Sequence, residues 1–66
     1  MDRIVVDPTV VHGQPVVRGT RVPVAIVVGS LAGGMNYEEV VVEYGVTHKD
    51  ILACLNYGAR AVTEEG

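Results

Sequence analysis

Tryptophan and phenylalanine are absent from this chain, tyrosine occurs three times and cysteine once. A lone cysteine, Cys54, excludes an intrachain disulfide. The two histidines, His12 and His48, stand far apart without ligand-spaced neighbours, so no zinc site and no other metal or cofactor is expected. At 66 residues the chain makes one domain, and a domain this small buries only about 60% of the surface its unfolded form exposes. Disulfides, a metal or a partner chain usually make up the deficit. With the first two excluded, a partner chain remains, most simply a second copy, and a homodimer is expected.

Positive charge is also scarce. Five Lys and Arg against eight Asp and Glu leave a formal charge of −3, which argues against a protein whose main affinity comes from nucleic-acid phosphates. Long apolar runs are missing. The longest, from Val22 to Met35, is broken by Pro23, Gly29, Ser30, Gly33 and Gly34 and falls short of the roughly 18 residues a spanning helix needs. Met1-Asp2-Arg3 meets Ile4-Val5-Val6-Asp7-Pro8 directly, without a signal-peptide pattern, so a soluble cytoplasmic protein is expected.

What is present is aliphatic: hydrophobic residues make up 48% of the chain, much of it valine, which suits a pleated surface but offers little area per residue. Ile4-Val5-Val6 reads as a short strand ended by Asp7-Pro8. Val10-Val11 and Val16-Val17 read as a hairpin around His12-Gly13-Gln14-Pro15, with Gly13 supplying a positive φ. Strands so short need further pairing, for which a second chain is the obvious source. Pro23 suits the first turn of a helix whose stripe is Val24, Val27, Val28 and Leu31. Its other side, Ala25, Ile26 and Gly29, is apolar too, so burial on more than one face is expected. Gly33-Gly34 ends it.

Asn36 with Glu39 three residues on forms a capping box for a second helix, striped by Tyr37, Val40, Val41 and Tyr44 and closed by Gly45. Thr47 caps a third, with Asp50 at its third position and a stripe of Ile51, Cys54, Leu55, Gly58, Ala59 and Val62. The reading is a mainly α domain: a β-rich arm or hairpin over 1–21, a three-helix homeodomain-like bundle over 22–63, and a frayed tail over 64–66.

Helices two and three, joined by Gly45-Val46-Thr47, fit a helix-turn-helix-like pair, with apolar residues at Val40, Tyr44, Val46, Ile51 and Cys54. The sequence departs from that motif at Val41, where a very small residue is usual. Were the third helix to read DNA, the contacts would come from His48, Lys49 and Asn56, together with Thr47 and Ala53. Glu38, Glu39 and Glu43 on the preceding helix oppose this, so any DNA binding is expected to be weak.

Arg18-Gly19-Thr20-Arg21 is the densest chemistry in the chain, since planar guanidinium forks suit carboxylates or phosphates. One reading has Arg18 or Arg21 ordering the arm by pairing with Asp7, Asp2 or a helix-end carbonyl. The other has them meeting a partner. Through Asp7-Pro8, the run from Gly13 to Val24, Leu31-Ala32-Gly33-Gly34 and the run from Thr47 to Tyr57, the sequence resembles domain-of-unknown-function family 433 over nearly its whole length. Gly45-Val46 departs from the proline-containing turn more usual there. The resemblance implies a homeodomain-like trihelical fold, commonly homodimeric, and an antitoxin-like role beside a PIN-like ribonuclease in a bacterial toxin–antitoxin module. Arg18, Arg21 and Arg60 are then the candidates to enter the nuclease's carboxylate cluster. The alternative is a structural dimerisation or adaptor module with no DNA role.

Catalysis is not expected. Cys54 lies on an apolar stripe and reads as a core residue. His12 has no acid partner, and His48 at a helix start reads as solvated. Glu38 and Glu39 are adjacent and diverge on a helix. Gly29, Gly33 and Gly34 do not lie between a strand and a helix as a phosphate loop would.

Overall fold

β1 (Ile4–Val6) and β2 (Pro15–Val17) open the chain as an antiparallel hairpin, followed by α1 (Val24–Ala32), α2 (Tyr37–Tyr44) and α3 (His48–Glu65). The computed structural model describes residues 3–65. Ile4 pairs with Val17, Val5 with Val16 and Val6 with Pro15.

The hairpin expected between Val10-Val11 and Val16-Val17 does not form, and the reason is local. Asp7 and Pro8 close a turn in which the Val10 N–H donates to the Asp7 carbonyl at 2.9 Å, and the Asp7 carboxylate accepts from the N–H and hydroxyl of Thr9 at 2.9 and 2.7 Å. Val11, His12 and Gly13 then all take positive φ, 48°, 57° and 80°, a left-handed turn that no strand can contain. Gly13 does supply the positive φ expected of it. Val16 and Val17 instead take Val5 and Ile4 as partners within the chain.

Past β2 the chain turns a corner. Gly19 has φ 79°, and Thr20 clips the bend: its N–H and hydroxyl both donate to the Val17 carbonyl, at 3.0 and 2.8 Å, while its oxygen accepts the Val22 N–H at 2.9 Å. The Gly-Thr of Arg18-Gly19-Thr20-Arg21 therefore builds the corner, and the arginines flank it. Pro23 sits just outside α1 in extended conformation, where its missing N–H costs nothing.

α1 ends in a Schellman arrangement. Gly34 (φ 112°) donates to the Leu31 carbonyl and Met35 to the Ser30 carbonyl, both at 3.0 Å. Its face of Val24 and Val27 is buried, whereas Ala25 is exposed and Ile26 is 44% exposed. Burial of α1 on more than one face is thus not met within a single chain. α2 begins with the full capping box: the Glu39 N–H donates to Asn36 Oδ1 at 2.8 Å and the Asn36 N–H to Glu39 Oε1 at 2.9 Å. Gly45 closes it with φ 70°.

Val17, Val24, Val27, Val40, Val46, Ile51 and Cys54 form the core. Each side chain of this size adds about 1.5–3 kcal/mol on burial, so the core rests on many small contributions and no large aromatic. The apolar positions of the α2–α3 pair, Val40, Val46, Ile51 and Cys54, are buried, with Tyr44 half-buried beside them. α3 remains helical to Glu65, through most of the stretch expected to fray; Gly66 lies outside the described residues. Among the described residues no helix is long and apolar enough to cross a membrane.

Candidate functional site

Asp50 fixes the start of α3 and, through it, the arm. The Asp50 N–H donates to Thr47 Oγ1 at 3.0 Å and the Thr47 N–H to Asp50 Oδ2 at 2.9 Å, a reciprocal cap. The second carboxylate oxygen accepts from Arg3 Nη1 at 3.1 Å. Burial pushes the Asp50 carboxyl up, but the Thr47 N–H, the Arg3 guanidinium and the Thr47 side chain outweigh it and hold the group below the usual range. This carboxylate is therefore charged, satisfied and spoken for.

The clamp draws β1 against α3 and leaves a groove of about 370 Å³ between them, lined by Arg3, Ile4, Ala53, Asn56, Tyr57 and Arg60. Ala53, Asn56 and Arg60 recur three and four residues apart on α3, and Lys49 continues the same stripe toward the helix start. Arg18 stands at the near end of the hairpin, its N–H donating to the Arg3 carbonyl at 2.7 Å. An acidic chain thus gathers cations along one side, while Glu38, Glu39 and Glu43 lie together with Met35 and Val42 at α2.

Of the candidates named from the sequence, Asn56 and Arg60 come together in this groove. Lys49 and His48 are exposed at the start of α3, but His48 turns to α2, its ring 5.8 Å from that of Tyr37 and tilted by 59°. Arg18 and Arg21 are exposed at the corner. Arg3, which the sequence did not single out, is ion-paired with Asp50 and ties the arm to α3, and the Asp7 carboxylate is engaged by Thr9. Asp2 lies outside the described residues. Sequence reading missed Arg3 and Tyr57 as groove residues. The i, i+4, i+7, i+11 spacing of Lys49, Ala53, Asn56 and Arg60 was the available signal for a polar stripe, but nothing local pointed to Arg3.

Cys54 is buried, and burial, with the nearby Asp50 charge adding to it, pushes its thiol up to about 11. A thiol in that state is a packing group and a poor nucleophile.

These features define a small, mainly helical domain whose N-terminal hairpin is clamped to its last helix. The chain belongs to the family described as "Protein of unknown function (DUF433)", whose model matches residues 4–58. It is similar to a DUF433 member protein from Anabaena variabilis, known from a crystal structure, with a TM-score of 0.87 at 29% identity over 97% of this chain and 64% of that one. It is also similar to Rv2018 from Mycobacterium tuberculosis, with a TM-score of 0.72 at 40% identity over 79% of this chain and 24% of that one. The chain therefore spans less than two thirds of the length of either. No curated protein matches it.

Proposed function

We propose that this chain is a non-catalytic binding protein of the antitoxin kind, which neutralises a PIN-like, metal-dependent ribonuclease by presenting arginine to its carboxylate cluster. The observation that carries this reading is the groove between β1 and α3, where Arg3 and Arg60 line one concavity together with Asn56 and Tyr57. Arg60 lines this groove and Arg18 and Arg21 are exposed at the corner, and these guanidinium groups are the ones that would meet a partner's carboxylates. Guanidinium–carboxylate pairs are bidentate and strong when water is excluded, and aromatic and Arg anchors dominate protein interfaces. Co-expression with a PIN-like ribonuclease encoded beside this chain tests it. Arg60→Ala is expected to weaken relief of toxicity, and Arg18→Ala and Arg21→Ala to weaken it further in combination. Undiminished relief by the triple variant sinks the reading.

Operator binding is the weaker part. Lys49, Asn56 and Arg60 share a stripe of α3, but the three glutamates of α2 repel phosphates. A mobility shift on the upstream DNA at two salt concentrations decides it, since phosphate-driven binding must weaken with salt. A second reading, an adaptor or dimerisation module without a DNA role, is favoured by the fact that the matching region occupies only 24% of the Mycobacterium chain. Retained partner capture without a salt-sensitive shift would support it.

A further inference from the structure

Among the described residues β1 has one edge paired with β2 and no strand paired on the other, and the direction of its backbone groups follows from two bonds. The Arg18 N–H donates to the Arg3 carbonyl, so the position before β1 faces inward to β2. The Val17 N–H donates away from β1, to the Val22 carbonyl at 2.9 Å, so Val17 and its partner Ile4 form a non-hydrogen-bonded pair. By the alternation of an antiparallel ladder, Val5 faces β2, and Ile4 and Val6 turn their N–H and C=O groups to the open edge. Pro15 opposite Val6 lacks an N–H, and none is needed there. Val6 is 58% exposed, an apolar β-branched residue on an unprotected edge.

The residues around this edge read Arg3-Ile4-Val5-Val6-Asp7, positive at one end, negative at the other and apolar between. Turned end for end about Val5, the segment is complementary to itself. Arg3 then meets the partner's Asp7, Ile4 meets the partner's Val6, and Val5 meets the partner's Val5 on the axis. That register pairs the outward-facing Ile4 and Val6, and it puts Val5 at a non-hydrogen-bonded position, where side chains lie closest. A slip by one residue would set inward-facing groups against outward ones, and a slip by two would part the charges. Pro8 ends the strand just past Asp7 and limits it to this short match.

We infer that two copies of this chain pair along β1, antiparallel and two-fold about Val5, to form a continuous sheet in the order β2-β1-β1-β2 closed at each end by an Arg3–Asp7 pair. The interface is isologous, so it closes at two copies. Arg3 keeps its bond to Asp50 through Nη1 and Asp7 keeps Thr9 through Oδ1, and each retains further hydrogen-bonding capacity for the other.

Sedimentation velocity across concentration, with helical circular dichroism as the check on folding, tests this directly. The native chain is expected to dimerise. Val6→Pro removes only an outward N–H, a change an edge strand tolerates. It is expected to sediment as a monomer with native helical circular dichroism and a melting temperature that, unlike that of the native chain, does not depend on concentration. Asp7→Lys and Arg3→Glu each place like charges across the axis and are expected to be monomeric alone. Mixed, they restore opposite charges at both ends and are expected to form a heterodimer. Amide exchange supplies a reading that needs no variant: Ile4 and Val6 gain protection as concentration rises. A monomeric native chain, a dimeric Val6→Pro, or folded charge variants that ignore each other on mixing would each overturn the inference. Should Arg3→Glu not fold, concentration-independent exchange at Ile4 and Val6 does the same.

Discussion

Arg3 Nη1 lies 3.1 Å from Asp50 Oδ1, a bond that crosses 47 residues of sequence and ties the start of the arm to the start of α3. The same carboxylate caps α3 through its other oxygen. One side chain therefore sets both where the last helix begins and where the hairpin lies against it, and the groove between them exists because both ends of that bond are held.

The two halves of this bond differ in consequence. Arg3 is 47% exposed at the side chain and Asp50 only 12%, so screening by water weakens what Arg3 contributes. Arg3→Ala is expected to cost about 0.5 kcal/mol. Asp50→Ala loses the cap as well and is expected to cost about 2 kcal/mol, lowering the melting temperature by roughly 10 °C in a domain of this size. Thermal melts of both variants and the double variant measure the coupling between them. Equal losses from the two single variants would mean that the cap carries none of the effect.

Stability should fall in acid, and the sign follows from the direction of the Asp50 shift. Its carboxyl is held below the usual range in the folded chain despite burial, by the Thr47 N–H, the Arg3 guanidinium and the Thr47 side chain. A group depressed on folding stabilises the fold above its unfolded pKa, about 3.9, and that contribution is lost as pH falls through the folded value. Denaturant midpoints between about pH 6 and 2 should therefore decline below pH 5, and less so in Asp50→Asn. Asp7, depressed by its bonds from Thr9, acts in the same direction, so Asp7→Asn is the control. An Asp50→Asn profile as steep as the native one would assign the acid response elsewhere.

Cys54 should be silent in the folded state. With its thiol pushed up to about 11, only about one molecule in a thousand carries a thiolate at pH 8. Buried as well, it is expected to resist iodoacetamide until denaturant opens the core. Prompt alkylation of the native chain, followed by mass spectrometry, would show that the α2–α3 core is looser than its packing implies.

The helices were legible because their signals are local. Asn36 with Glu39, Thr47 with Asp50, and Gly45 after Tyr44 each specify a helix end from within a few residues, and each is found as read. The partner of β2 was not legible, since Val10-Val11 has the same β-branched character as Ile4-Val5-Val6. What decides between them is the left-handed turn at Val11–Gly13, together with burial of Val16 and Val17 at 1% exposure each. The groove was half legible. Asn56 and Arg60 lie on one helix face by spacing alone, but Arg3 reaches them only through a fold that brings residue 3 to residue 50, and no local pattern encodes that distance.

Val11 offers a test of the loop that redirected the hairpin. Its φ of 48° sets a β-branched side chain against its own backbone, which costs about 1–2 kcal/mol relative to a right-handed conformation. Asparagine tolerates the left-handed region, so Val11→Asn is expected to raise stability by about 0.5 kcal/mol after the loss of a half-buried valine is counted. Gly13, at φ 80°, calls for the opposite outcome: Gly13→Ala is expected to cost about 1 kcal/mol. Chemical denaturation of the two variants against the native chain reads both signs. Loss of stability in Val11→Asn, with no loss in Gly13→Ala, would mean that residues 11–13 do not hold the left-handed turn. Val10-Val11 would then be free to compete with Ile4-Val5-Val6 for β2.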